Sequence, residues 1–227
     1  MPGILGASAN LTLASPQRLM SDTAPDARLH PRDPLLRRYL AVFVAVLLLL
    51  GLAHVWVNPW LNYERAAILG GQLWRVWSAH LVHLNLWHLG MNLGGFLLCA
   101  YFFPDVYSRG RMLAWLLFSP LFISVLMLFV DRAPGTYVGL SGALHGWLVL
   151  ALLLGFRRHP WVHLLVLALV TGRLVYEQLP GYDVAYLHQW IDGSVYVNAH
   201  LYGAFSGVLL ALGIVLNDRW RREPAVG

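Results

Sequence analysis

Apolar residues gather in six runs along this chain, at about 39–57, 87–104, 111–130, 137–155, 160–177 and 197–216, with the charged residues mostly in the segments between them. Each run approaches the roughly 20 apolar residues with which a helix crosses a bilayer. Several are interrupted by glycine, serine, asparagine and histidine, which are tolerated inside a membrane only where they face protein or a water-filled cavity. The pattern predicts an all-α polytopic membrane protein: a six-transmembrane-helix bundle over residues 37–218, with its polar positions turned inward. Residues 1–36, rich in Ala, Pro, Ser, Asp and Arg, read as a disordered leader, and 219–227 as a short tail.

Composition agrees with the pattern and excludes an ordinary soluble domain: 58% of residues are hydrophobic and 12% charged. The net charge of +5 comes entirely from arginine, since the chain contains no lysine, and its distribution reads as topology rather than nucleic-acid binding. Arg18, Arg28, Arg32, Arg37 and Arg38 precede the first run. Arg109 and Arg111 separate the second from the third, Arg157 and Arg158 the fourth from the fifth, and Arg219, Arg221 and Arg222 follow the sixth. The alternate loops hold Arg65, Arg75 and Arg132, while 178–196 has no arginine but contains Asp183 and Asp192. By the positive-inside rule both termini are cytoplasmic. The second, fourth and sixth runs then enter from the outer face, which brings His88, Ser141 and His200 to similar depth near the outer ends of three helices. Cys99, the single cysteine, lies in an apolar run and offers neither a disulfide framework nor a cysteine-rich metal site.

The candidate chemistry sits in those three runs. In Val138-Gly139-Leu140-Ser141-Gly142-Ala143-Leu144-His145-Gly146 a serine stands among glycines. A serine hydroxyl becomes nucleophilic when a base takes its proton, and histidine is the usual base. Ser141 is therefore assigned as nucleophile and His200 as base. The carboxylate nearest to His200 in the preceding loop is Asp192, too far along the chain to be assigned to it, so the reading is a Ser-His dyad without the third, orienting acid of a triad. Gly142 with Gly146, and Gly203 with Gly207, form two GxxxG motifs that allow two helices to approach closely. His88 and Asn92, one turn apart on one helix face, are assigned as oxyanion donors together with the backbone N–H of Ser141. Taken singly, a membrane histidine or serine is more often a helix-packing group. The joint pattern favours catalysis. His54, His80, His83 and His163 are assigned to packing or loops, and the Trp and Tyr residues near the span ends to interfacial belts.

These residues resemble the rhomboid family of intramembrane serine proteases. The resemblance runs through Trp74-Arg75, His83, His88-Leu-Gly-Met-Asn92, Gly139-Leu-Ser141-Gly142 and Ala199-His200-Leu-Tyr-Gly203 with Gly207, in that order, and covers roughly 40–216. It implies Ser141 as nucleophile, His200 as base, His88 and Asn92 at the oxyanion, and Trp74 and Arg75 shaping the first outer loop. It also implies single-span membrane proteins as substrates and no metal or organic cofactor. Where rhomboids often place a tyrosine four residues after the serine, this chain has His145, assigned to support His200. The Ser-Gly-x-Leu-His-Gly string, Tyr176-Glu177-Gln178 and the string from Ala199 to Ala204 resemble the rhombosortase subgroup. That subgroup implies a bacterial inner-membrane protein whose active site opens to the periplasmic or outer face, and substrates with C-terminal glycine-rich sorting signals. Glu177 is read as a structural partner of Arg173 at i, i+4, with substrate recognition as the alternative.

Two other functions fit parts of the pattern. One is a catalytically inactive rhomboid-like protein that binds clients, which the presence of both Ser141 and His200 disfavours. The other is a bis-histidine haem or metal protein, which the ten histidines invite and which leaves the glycine-framed serine unexplained.

Overall fold

Asp33 opens the first helix, its side chain accepting the backbone N–H of Leu35 while Pro34 occupies the position where a missing N–H costs nothing. Helix α1 (Pro34–Leu52) thus starts inside the expected leader, and a break at Ala53 separates it from α2 (His54–Leu61) within the first apolar run. The computed structural model describes residues 33–131, 135–182 and 185–221, so most of the expected leader and tail, with Arg132 and Asp183, lies outside the described residues.

After α2 come the short strand β1 (Tyr63–Glu64) and helices α3 (Arg65–Leu69) and α4 (Arg75–Ser78). They form a loop knotted around a buried guanidinium. Arg75 donates to the carbonyl of Asn62 (2.8 Å), the carbonyl of Pro59 (2.9 Å) and the side chain of Gln72 (2.7 Å). Helix α5 (Leu86–Phe102) is capped by Asn85, whose side chain accepts the N–H of His88. Helix α6 (Arg109–Leu126) is capped by Ser108 and runs into a π turn, Met127–Asp131. Strand β2 (Thr136–Tyr137) pairs antiparallel with β1, Tyr63 opposite Tyr137 and Glu64 opposite Thr136. Then follow α7 (Ser141–Gly155), α8 (Pro160–Glu177), α9 (Ala185–Ile191) and α10 (Asn198–Trp220).

Helix α7 is the hub, packed against α5, α6, α8 and α10. Trp147 of α7 and Trp115 of α6 are fully buried against each other, and the Trp115 indole N–H donates to the carbonyl of Ala143 at 2.7 Å. The outward faces of the long helices are apolar, with Leu49, Leu97, Leu113, Leu165 and Leu216 all exposed. So large an exposed apolar surface marks contact with lipid rather than water.

Three helices are long and apolar enough to cross a membrane: Pro34–Leu52, Arg109–Asp131 and Asn198–Trp220. Leu86–Phe102 and Ser141–Gly155 are apolar but shorter. Helix α8 carries His163, Arg173 and Glu177 along its 18 residues. A helix of 15 residues or more stands at each of the six apolar runs, and three of these helices are long and apolar enough to cross a membrane. The clearest shift is in the fourth, expected from 137 but helical from Ser141, because Tyr137 is held in the strand pair and Gly139 takes a φ of +126°.

Candidate functional site

Ser141 is the first residue of α7, so its side chain and its unbonded backbone N–H stand at the mouth of the helix rather than within it. The approach to it is fixed at several points. The Gly139 N–H donates to the carbonyl of Ala79 (3.0 Å), and the buried Tyr137 hydroxyl donates to the carbonyl of Gly139 (2.7 Å). The φ of +126° at Gly139 belongs to a region that side chains rarely enter, and a Cβ there would sit 2.8 Å from the imidazole of His88. The glycine thus lets the serine turn lie directly on the His88 ring.

His200, on the first turn of α10, meets Ser141 because α7 and α10 touch through their backbones. A Cβ on Gly142 would stand 2.8 Å from the carbonyl oxygen of Ala199, and one on Gly146 would stand 2.7 Å from that of Gly203. From the other side, side chains on Gly203 and Gly207 would run into the carbonyls of Gly142 and Gly146. The two GxxxG motifs interlock. At the crossing, Ser141 Oγ lies 3.0 Å from His200 Nε2.

His145, one turn along from Ser141, stacks on His200 with ring centroids 4.3 Å apart and an interplanar angle of 20°. Its Nδ1–H donates to the carbonyl of Ser141 at 2.8 Å, which orients the ring. His88 lines a cavity of about 330 Å³ together with Ser141, Asn58, Leu84, Tyr137 and Ile191. His88 Nδ1 accepts the backbone N–H of Leu84 at 3.4 Å, so in the neutral ring the proton resides on Nε2, leaving that nitrogen as a donor. Asn92 is placed differently. Its amide donates to the carbonyl of His88 at 2.9 Å and it does not line the cavity.

One expectation is corrected by the tertiary structure. The imidazole of His200 is not without a carboxylate: Glu177 Oε2 accepts from His200 Nδ1 at 3.0 Å. The expected pair with Arg173 also forms, Nε to Oε1 at 3.0 Å, so the two carboxylate oxygens serve two different donors. Separation along the chain concealed this, since Glu177 precedes His200 by 23 residues and reaches it from another helix. A signal was nonetheless present, because an ionisable residue in an apolar helix is by default a candidate for function.

His54, His80 and His163 serve packing. His80 Nε2 lies 3.1 Å from the Ser124 hydroxyl, His163 Nδ1 donates to the carbonyl of Leu152 at 3.0 Å, and His54 Nδ1 to that of Gly51 at 2.9 Å. His83 packs edge-on against His88 with centroids 5.1 Å apart.

A family model described as the rhomboid domain matches residues 70–217, a span that contains α4 to α9, nearly all of α10, and the Ser141 site apart from Asn58 and Asn62 on the cavity wall. No individual curated protein matches the chain. The match and the apolar helices together make this a membrane protein. The family match covers most of the chain, and the chain belongs to the rhomboid family.

Proposed function

We propose that this protein is an intramembrane serine endopeptidase in which Ser141 attacks the scissile carbonyl and His200 acts as general base. The observation that carries the reading is the 3.0 Å separation of Ser141 Oγ and His200 Nε2 at a helix crossing that glycines hold closed. Rhomboid family members are usually proteases of this type. In the proposed reaction His200 Nε2 takes the hydroxyl proton as Oγ bonds to the carbonyl carbon, then returns it to the departing amine as the peptide bond breaks. Water repeats the cycle on the resulting ester and frees Ser141. The negative charge on the tetrahedral intermediate is met by His88 Nε2–H, the backbone N–H of Ser141 and the Asn92 amide, one of whose two hydrogens is held by the carbonyl of His88.

The substrates proposed are single-span membrane proteins, and within them C-terminal glycine-rich sorting signals of the rhombosortase kind. The topology proposed is six crossings with both termini cytoplasmic, in a bacterial inner membrane, with the cavity opening to the outer face. The arginine distribution supports this orientation.

The test is labelling of purified, detergent-solubilised protein with a fluorophosphonate probe, alongside cleavage of a single-span reporter. Wild type should label and cleave. Ser141→Ala and His200→Ala should lose both, a fall on the order of 10⁶-fold in kcat for the serine, with thermal midpoints unchanged. Equal activity in wild type and Ser141→Ala would end the proposal, and a folded but unreactive wild type would favour client binding instead.

A further inference from the structure

The strongest unassigned feature is the buried carboxylate on α8. Glu177 is the last residue of that helix and its side chain is 3% exposed. Removing an ionised carboxylate from water costs several kcal/mol unless partners replace the lost hydration. Arg173, 45% exposed on the same helix face, satisfies one oxygen from the solvent side. The other oxygen points inward to His200 Nδ1. Among the described residues Glu177 supplies the hydrogen bond at that nitrogen.

This arrangement has a chemical consequence that stacking cannot supply. An ionised carboxylate only accepts, so a neutral His200 facing Glu177 must carry its proton on Nδ1, which leaves the Nε2 lone pair directed at Ser141 Oγ. His145 fixes the plane of the same ring by its face, and a face contact does not distinguish which nitrogen is protonated. Plane and tautomer are thus set by two helices. The imidazolium formed after proton abstraction is stabilised by the same carboxylate, and Arg173 keeps that carboxylate in place.

We propose that Glu177 is a positioning residue for His200, completing a Ser141-His200-Glu177 relay with Arg173 as its clamp. The proposal rests on the protease reading above. It concerns how the base is held.

The test measures kcat and KM for the single-span reporter in the full-length protein carrying Glu177→Gln. An amide can donate to Nδ1 and select the wrong tautomer, so kcat should fall roughly 10²- to 10⁴-fold while KM stays within about 3-fold. Glu177→Asp, which keeps the charge on a shorter stem, should recover part of that loss. Wild-type kcat in Glu177→Gln, or a change confined to KM, overturns the proposal. Should Glu177→Gln fail to fold, nitrogen-15 NMR of ring-labelled wild type, assigned with His200→Ala, decides the matter. A proton on Nδ1 of the neutral ring supports it, and a dominant Nε2–H tautomer overturns it. Absence of probe labelling and cleavage in wild type would instead count against the protease reading, while the tautomer would still be read.

Discussion

Helices α7 and α8 are consecutive in the chain and packed together, yet they are held by opposite means. In α7 nine of 15 residues are buried, and its glycines press its backbone against α10. In α8 three of 18 are buried, His163, Leu174 and Glu177, while Leu165, Leu169 and Val175 face outward. Polar anchors at the two ends and a small contact of Leu174 with Val149 and Ala204 hold α8 to the body. The difference separates two kinds of precision. Nucleophile and base are placed by backbone contact that leaves no room for adjustment, and the carboxylate is delivered by a helix whose hold on the body is mostly a few hydrogen bonds.

That contrast makes Gly203→Val the most damaging change, since its side chain would enter the carbonyl of Gly142. Overpacking a well-packed core costs about 1–3 kcal/mol, and a clash with backbone should reach the top of that range. The expected result is a lowered thermal midpoint in detergent and loss of probe labelling, because Ser141 and His200 separate. A Gly203→Val protein with normal labelling would show that the α7–α10 contact is softer than its geometry.

Next in size is His145. His145→Ala removes the stacked face from His200, and aromatic pairs contribute about 0.5–1.5 kcal/mol, so labelling should slow about 2- to 10-fold with a small drop in thermal midpoint. His145→Phe should retain most of the rate, since it keeps the face. Equal loss in both variants would shift the role from the stacked ring to the bond between His145 and the Ser141 carbonyl.

His163→Leu probes the far anchor of α8. It deletes one buried hydrogen bond, worth about 0.5–1.5 kcal/mol, and hydrogen exchange along α8 should accelerate while α7 and α10 stay protected. Uniform acceleration would mean that α8 and α7 open as one unit. Smallest of all is Gly172→Ala on α8, where nothing lies within 4 Å of the added carbon. Thermal unfolding should be unchanged or raised by about 0.5–1 kcal/mol from helix propensity, the opposite sign to Gly203→Val.

The helices were legible where local chemistry marks their ends. The run at 160–177 coincides with α8 because Pro160 is fit for a first turn, and the run at 87–104 follows Asn85, an effective cap. Legibility fails where distant residues intervene. The fourth run loses its first turn to the pairing of Tyr137 with Tyr63, more than seventy positions earlier. Asn92 illustrates the same limit at the site. Its spacing from His88 places both on one helix face, and only the packed structure shows its amide donating to the carbonyl of His88.

The sequence by itself determined the membrane class, the places of the long helices and the pairing of a glycine-framed serine with a histidine beside a second glycine motif. These follow from periodicity and from residue size, which act locally or through a repeated spacing. Only the tertiary structure decided that Glu177 meets His200, that His145 lies flat on the same ring, and that His88 and Ser141 line one cavity. Each of these depends on the rotation and depth at which one helix crosses another. Apolar pattern specifies which face is buried, whereas the partner that a buried polar atom finds is settled by the packing of all the helices together.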